Sequence, residues 1–428
     1  MTLPLMAEDK NADKKLAMKF IHHLRDGQFK EGYAMFDQSV QTMFTQQQLQ
    51  NIWEDLVREN GFFEKITLFR EDRDTNYTII YVSTSFLRKY ADFTVSINNN
   101  QKIIGFRILK IEEKADLGYP PYADSSNIIS EDHVFGIKGW KLQAKLTLPR
   151  KNQDKLPVVI LIHGSGPQDM DQSIGKLKPF RDMAYGLTTK GIAVFRYNKR
   201  TTDHPFNFMK LPTFTIKEEA TDDVIEAIEF LKRDPRIDTN KIFLLGHSLG
   251  GYLVPRIAHL TDVAGIISMA GPARPFGMLL YEQLVHKAEL DGNLDDQEAA
   301  YLENFKKKTD LIDGPDLTPE TPHTELPFNI PAEYYLDYRE NLPPVTVQGL
   351  TLPILVMQGG KDYQVTEVDY DIWKESLTGQ RNASFKFYPE LNHLFIEIEG
   401  DSSPDDIQSP AHVSEQVIDD LSDWIMKN

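Results

Sequence analysis

The sequence predicts an α/β protein, built on a mostly parallel sheet with helices on both faces and preceded by a small α+β domain. Unbroken apolar runs recur through the last two-thirds of the chain, separated by amphipathic helical segments, which is typical of parallel strands buried on both faces. Earlier, helical spacing gives way to period-two alternation, which favours helices followed by an antiparallel sheet. We expect domains over 14–114 and 134–428, with a polar tail at 1–13 and a linker at 115–133.

The N-terminal domain is predicted from these two kinds of spacing. Helices are expected over 16–24 and 29–36, and Thr45 and Gln48 form a capping box before a third helix. The alternating segments that predict strands lie near 66–68, 79–83, 93–97 and 104–108.

In the second domain, an alternating segment at 142–148 predicts an antiparallel strand, and a Thr215–Glu218 capping box predicts a helix over 216–232. The predicted parallel core strands are 158–162, 192–195, 242–245, 266–269 and 354–357. Residues 272–348 are too many for a plain crossover between two of these strands, so they predict an inserted lid over the strand ends.

Composition narrows the class of protein. The chain has 428 residues, 41% hydrophobic and 26% charged, the ordinary mix of a soluble globular protein. A net charge of −17 disfavours nucleic acid and anionic membrane surfaces as partners. The absence of cysteine excludes disulfides, thiolate metal sites and a cysteine nucleophile. No apolar segment approaches the ~20 residues of a membrane span, and the first residues do not resemble a signal peptide. A cytoplasmic location is the default expectation, with a secreted or periplasmic one open if a leader has been removed.

The most informative motif is the pentapeptide Gly246-His247-Ser248-Leu249-Gly250, which lies between a predicted strand and a predicted helix. A serine on such a sharp strand-to-helix turn needs glycines beside it, because larger side chains would collide there. The motif predicts an α/β-hydrolase fold with Ser248 as nucleophile. The alternative is a glycine-rich turn with a serine that merely caps it.

A serine nucleophile needs a base, and the base needs an orienting acid, which follow in the chain order Ser, acid, His in this fold. Asp362 comes directly after strand 354–357, at the carboxyl edge of the sheet, and is the predicted acid. Glu367 and Asp369 are weaker rivals because they lie further along, in the next helix.

The predicted base is His393, which follows a strand at 385–388. The other histidine after Asp362 is His412, which is expected to begin the last helix and to face solvent. In this scheme Asp362 accepts the Nδ1–H of His393 and stabilises the imidazolium that forms when Ser248 loses its proton.

An oxyanion hole needs two backbone donors. One is expected to be the N–H of Leu249, and the other the N–H of Ser165 or of Gly166, in the glycine-rich loop after strand 158–162. Pro167 has no N–H and is excluded. The phosphate-binding pattern that such a loop resembles is absent.

Other residues leave alternatives open. Arg200 either binds a substrate carboxylate or forms a structural ion pair. Phe276 and Tyr281, with Met278 and Leu279, either line an acyl pocket or form the core of the lid.

Asp169 and Asp171 have no evident partners for a metal site, and no cofactor is implied. They are expected to cap loop amides or to pair with Arg181 or Arg200.

The chain from about residue 134 onward resembles the bacterial α/β-hydrolase esterases whose oxyanion loop reads His-Gly-Ser-Gly-Pro-Gln-Asp. The matching segments are 163–169, 178–182, 197–200, 246–251, Gln358-Gly359 with Asp362, and Asn392-His393. The family usually has Tyr-Asp-Lys-Arg where this chain has Asn198, so no role for an aspartate at that position carries over.

The first 110 residues are similar to a domain of unknown function often fused to these enzymes, and they resemble the cone-shaped α+β fold of the nuclear transport factor and ketosteroid isomerase type. Such cones often hold a pocket or a dimer interface. The resemblance therefore adds the hypothesis that the protein forms homo-oligomers through this domain.

Residues and resemblance together predict a serine hydrolase that cleaves carboxylic esters of small acyl groups through an acyl-enzyme, with a small-molecule ester as substrate. An amidase or peptidase with the same triad is one alternative. The other is a catalytically silent binding protein in which the hydrolase domain is only a scaffold.

Overall fold

The computed structural model describes residues 12–114, 116–151, 154–290, 292 and 294–428, which form two compact units that divide after Asp116. Most of the predicted polar tail lies outside the described residues. Its last two residues, Ala12 and Asp13, belong to the first helix instead.

The first unit is an antiparallel four-stranded sheet in the order β1-β2-β3-β4, with helices preceding it in the chain. Its elements are α1 Ala12–Arg25, α2 Phe29–Ala34, α3 Gln38–Gln41, α4 Gln46–Asn60, β1 Phe63–Arg73, β2 Tyr77–Phe86, β3 Lys89–Asn98 and β4 Ile103–Glu113. The capping box of Thr45 and Gln48 is confirmed at the start of α4. In the core, Trp53 of α4 packs against the rings of Phe86 and Phe93.

The second unit contains a mostly parallel eight-stranded sheet in the order β12-β11-β10-β9-β7-β8-β6-β5. Its strands are β5 Ile128–Phe135, β6 Leu142–Pro149, β7 Leu156–Ile162, β8 Ala193–Tyr197, β9 Ile237–His247, β10 Gly265–Met269, β11 Ile354–Gly359 and β12 Ala383–Tyr388. Only the pairings of β5 with β6 and of β6 with β8 are antiparallel among these described strands.

The linker predicted over 115–133 is too long, because strand β5 begins at Ile128. Only the end residues of this edge strand, Ile128 and Phe135, are buried, and the residues between them alternate between half-buried and exposed. It also carries Glu131 and Asp132, so it lacks the unbroken apolar run that is typical of the core strands.

Helices cover both faces of the large sheet. They are α5 Pro179–Thr189, α6 Arg200–Asp203, α7 Pro205–Phe208, α8 Asp222–Leu231, α9 Leu249–Ala258, α10 Phe276–Ala288, α11 Asp296–Asp313, α12 Ala332–Glu340, α13 Pro343–Thr346, α14 Glu367–Ser376 and α15 Glu415–Lys427. Alternate residues of β7 point to opposite faces: Val158 and Ile160 pack with α8 and α9, whereas Val159 and Leu161 pack with α5 and α15. The continuous apolar runs are therefore explained by burial on two sides.

Two features of this unit bear on the site. The insertion 272–348, between β10 and β11, contains helices α10 to α13. The helix predicted over 216–232 begins instead with a π-helical turn at Lys217–Thr221, and regular α8 follows it.

In the described parts of the chain, no helix combines the length and the apolar character that crossing a membrane requires.

Candidate active site

Ser248 occupies the sharp turn between β9 and α9, as the pentapeptide predicts. Its backbone angles are φ 55° and ψ −119°, a left-handed conformation that a residue with a side chain rarely adopts. A β-carbon on Gly246 would lie 2.0 Å from the carbonyl oxygen of Gly250, so the turn excludes any side chain at 246. The N–H of Ser248 donates to the carbonyl oxygen of Met269 in β10 at 2.9 Å, which fixes the turn on the sheet.

The serine opens onto a cavity of about 710 Å³. The parts of the chain that line it include the glycine-rich loop after β7, the loop that carries His393, and the insertion 272–348. Ser248 is partly exposed there, at the N-terminus of α9, where unpaired backbone N–H groups and the helix dipole favour negative charge.

The carboxylate of Asp362 is fully buried and has a partner for each oxygen. Its Oδ1 accepts hydrogen bonds from the backbone N–H groups of Gln364 and Val365 at 2.8 and 2.9 Å. Its Oδ2 accepts from the Nδ1 of His393 at 2.6 Å and from the Nε2 of Gln358 at 3.2 Å. Four donors hold this carboxylate, so its orientation toward the imidazole is fixed by its surroundings.

His393 lines the same cavity as Ser248. Because its Nδ1 carries the proton donated to Asp362, its Nε2 is left with the lone pair that a general base requires. The side chain of Asn392 shapes the loop: its Oδ1 accepts from the N–H groups of Leu394 and Ile396, at 3.0 and 3.2 Å.

The rival acids are engaged elsewhere or exposed. The carboxylate of Asp369 is fully buried in an ion pair with Arg274, whose Nη2 lies 2.9 Å from Oδ2. It also accepts from the backbone N–H groups of Ala273 and Arg274 at 2.8 and 3.2 Å. Glu367 is exposed on the first turn of α14.

The expectation that His412 begins the last helix and faces solvent is wrong. Helix α15 starts at Glu415, and His412 is half-buried, with its Nδ1 3.0 Å from Oδ2 of Asp182. Asp182 belongs to α5. The sequence spacing places His412 close to the start of the helix. It does not show the contact of His412 with a buried carboxylate, because that carboxylate lies 230 residues earlier in the chain.

The predicted oxyanion loop lies beside the nucleophile. Gly164, Ser165 and Gly166 all line the cavity. A β-carbon on Gly164 would lie 3.1 Å from the β-carbon of Ser248, so the bare backbone is what allows the loop to come this close. Leu249, the residue of the other expected donor, lines the same cavity.

The three predicted substrate-contact residues have different surroundings. Arg200 is 2% exposed and paired with Asp223, with its Nη2 2.6 Å from Oδ1, so the structural ion pair is the alternative that the structure shows. Phe276 lines the cavity, together with Leu279. Tyr281 lies on α10 with the Nζ of Lys306 5.4 Å from its ring centre, a contact within the insertion.

Asp169 caps its loop, as expected, because its Oδ1 accepts from the N–H groups of Asp171 and Ser173 at 3.1 and 2.9 Å. The expected arginine partners of Asp171 are wrong: its Oδ1 lies 3.0 Å from the Nε of Arg196, and Lys178 is the other cation nearby. Arg196 comes from inside β8, where sequence order gives no hint that it faces this loop.

Two buried histidines, His163 and His247, lie next to the site. The Nε2 of His163 donates to the carbonyl oxygen of Asp169 at 2.9 Å. The Nε2 of His247 donates to the carbonyl oxygen of His393 at 2.8 Å, and its Nδ1 accepts from the Nε2 of Gln172 at 2.8 Å. Burial lowers the pKa of each histidine to about 3, so both rings stay neutral at ordinary pH.

This burial predicts a pH dependence of stability. The folded-state pKa values of His163 and His247 lie near 3, below the ordinary 6.5, so protons bind preferentially to the unfolded chain. The contribution of these neutral rings to the free energy of unfolding is therefore fully present above about pH 6.5. It falls as the pH drops toward 3, by about 1.4 kcal/mol per pH unit for each ring. Because glutamine can replace the Nε2 donor, we expect a His163→Gln variant to lose unfolding free energy less steeply between pH 6 and 4.5.

Urea unfolding at each pH measures this slope. His323 is exposed, so His323→Gln is the matched control and should keep the wild-type slope. Equal slopes for His163→Gln and the wild type would contradict the prediction.

Sequence reasoning missed a group of buried polar residues around the site: Lys199, Glu219 and Tyr334. The ammonium of Lys199 contacts Glu219 and the carbonyl oxygen of Gly164, and the hydroxyl of Tyr334 donates to Glu219 at 2.8 Å. The sequence did offer one signal for this group, since Lys199 is the neighbour of Arg200, for which a substrate contact or an ion pair was expected. Burial of the lysine, which decides its role, is not visible in the sequence.

Comparisons with known proteins extend over both units. Residues 17–106 match a protein family of unknown function (DUF3887), and residues 159–407 match the alpha/beta hydrolase family. Esterase EstD of Thermotoga maritima is 34% identical to this chain over 413 residues, which cover 96% of this chain and 95% of that protein.

Two solved structures are similar to the chain over a smaller share of its length. Est1E from Butyrivibrio proteoclasticus has a TM-score of 0.44 and 16% identity, covering 69% of this chain and 99% of that one. The esterase domain from a Rhodothermus marinus protein has a TM-score of 0.42 and 18% identity, covering 70% of this chain and 98% of that one.

Proposed function

The protein belongs to the alpha/beta hydrolase family, and on this premise we propose that it is an enzyme that hydrolyses carboxylic esters of small acyl groups, with Ser248, His393 and Asp362 as its catalytic triad. The observation that carries the proposal is the 2.6 Å bond between Asp362 and the Nδ1 of His393, in a histidine that lines the same cavity as Ser248. This arrangement leaves an unprotonated Nε2 and a strained serine facing one space.

The chemistry follows from these roles. Nε2 of His393 takes the hydroxyl proton as Ser248 Oγ attacks the ester carbonyl, and the carbonyl oxygen becomes an oxyanion. The N–H groups of Leu249 and Ser165 stabilise that charge, with the N–H of Gly166 as an alternative donor. His393 then protonates the leaving alcohol. In deacylation, His393 takes a proton from the water that attacks the acyl carbonyl and passes it to Ser248 Oγ as the carboxylic acid leaves.

The apolar residues in the walls of the cavity favour an uncharged acyl group as the part of the substrate that binds there. Phe276 and Leu279 of α10 line it, as do Phe328 and Ile330 further along the insertion. We assign the insertion 272–348 the role of a lid that supplies these apolar contacts and excludes water from the acyl-enzyme.

Covalent labelling tests the proposal. A fluorophosphonate should add one phosphonyl group to the intact protein, and peptide mass spectrometry should find it on Ser248. A series of p-nitrophenyl esters of increasing acyl length should show the highest kcat/KM among short chains. Failure to label would support the scaffold alternative, while release of amine from a matched amide as fast as from the ester would support the amidase.

A further inference from the structure

A buried lysine lies directly behind the oxyanion loop. Lys199 is 2% exposed, and its Nζ donates to the carbonyl oxygen of Gly164 at 2.9 Å. Its backbone N–H also donates to the carbonyl oxygen of Gln168 at 3.0 Å, so the lysine holds the loop at two points. A buried ammonium has a large desolvation cost, which makes its specific partners informative.

The bonded carbonyl belongs to the peptide group that supplies the proposed donor. The C=O of Gly164 and the N–H of Ser165 lie on opposite sides of one planar trans peptide unit, so they point in opposite directions. The hydrogen bond that holds the Gly164 carbonyl toward Lys199 therefore also holds the Ser165 N–H so that it points away from Lys199. The ammonium also polarises the amide, which strengthens the N–H as a donor.

The lysine is in turn held by Glu219, which Tyr334 holds from its other side, and both residues line the cavity. Its Nζ forms an ion pair with Oε1 of Glu219, which is 5% exposed and belongs to the π-helical turn Lys217–Thr221. The hydroxyl of Tyr334 donates to Oε2 of Glu219 at 2.8 Å. Burial raises the pKa of Tyr334, so the phenol stays protonated and remains a donor.

We propose that Lys199 is a positioning residue of the oxyanion hole, which orients and polarises the Gly164–Ser165 peptide. Glu219 is its counter-ion, and Tyr334, on helix α12 of the insertion, completes the chain of bonds. The position of the insertion is therefore coupled to the donor that stabilises the transition state. This inference rests on the proposed function.

The test removes the ammonium without leaving its partner charged. Lys199→Met alone leaves the Glu219 carboxylate buried and unpaired, so the double variant Lys199→Met/Glu219→Gln is the main measurement. Lys217→Met is the matched control, because Lys217 is an exposed lysine of the same turn that pairs with Asp222. A milder variant, Tyr334→Phe, removes only the last bond of the chain.

Loss of a whole oxyanion donor costs about 10²–10³ in kcat, and a misaligned donor should cost less, so we expect about a 10- to 100-fold fall for the double variant. KM for the ester should change by less than about threefold, since the ground-state carbonyl depends little on this donor. The affinity for a trifluoromethyl ketone, whose hemiketal oxyanion occupies the hole, should fall by the same factor as kcat/KM. Tyr334→Phe should lie between wild type and the double variant, and Lys217→Met should match the wild type.

Two results would overturn the inference: a folded double variant with wild-type kcat, or a loss of activity that the ketone affinity does not follow. If the double variant does not fold, Tyr334→Phe decides by the same comparison of kcat/KM with ketone affinity. The Ser248→Ala variant distinguishes failure of the proposed function from failure of the role assigned to Lys199. Ester turnover that survives in Ser248→Ala would defeat the proposed function, whereas an inactive Ser248→Ala beside a fully active double variant would defeat only the role of Lys199.

Discussion

Replacing Ser248 by alanine is expected to lower kcat for ester hydrolysis by about 10⁴-fold or more, because no other group in the triad can form the acyl-enzyme. The proposed oxyanion donors are backbone N–H groups of Leu249 and Ser165, which the substitution leaves in place. Substrate should therefore still bind, and KM should change far less than kcat. Steady-state assays, with a fluorophosphonate to detect any remaining nucleophile, measure both effects.

Another serine, which is buried away from the cavity, provides the control. Ser268 lies on β10, the neighbour of β9 in the sheet, and is 1% exposed. Ser268→Ala removes the same atom from the same region of the sheet without touching the cavity wall, so kcat should stay close to that of the wild type. An active Ser248→Ala variant would show that the nucleophile has been misassigned.

The features that sequence predicts best are those whose cause is local. The glycine at 246 is required by a clash with the next turn of backbone, only four residues away, so the pentapeptide carries the information by itself. The core strands are equally readable, because burial on two faces demands an unbroken apolar run, as in β7. Asp362 and His393 were located from their positions after β11 and β12.

The features that sequence reasoning missed depend on contacts between distant segments. Strand β5 is an edge strand in which only the end residues Ile128 and Phe135 are buried, so its composition does not differ from that of a loop. Lys199 and Arg200 are adjacent and both cationic, and only the fold shows that the first reaches Gly164 while the second pairs with Asp223.

Replacing Asp362 by asparagine should lower kcat by about 10³–10⁴-fold through the tautomer of His393 rather than through loss of the fold. Oδ1 of Asp362 accepts two backbone N–H groups, from Gln364 and Val365. An asparagine has one oxygen to accept those bonds, so its NH₂ group must face the imidazole. His393 then accepts at Nδ1 and carries its proton on Nε2, where it cannot receive the proton of Ser248.

The same substitution at the rival acid, Asp369, tests which of the two aspartates orients the imidazole of His393. Asp369→Asn applies the same chemical change to another fully buried aspartate, and its partner there is Arg274. Breaking one side of a buried ion pair costs about 3–5 kcal/mol of stability, but the catalytic imidazole keeps its tautomer. We therefore expect opposite profiles: Asp362→Asn stable and nearly inactive, Asp369→Asn less resistant to urea but close to wild type in kcat at temperatures where it remains folded. A reversal of these profiles would place the orienting acid on α14, and the hydrogen bond between Asp362 and His393 would then be structural only.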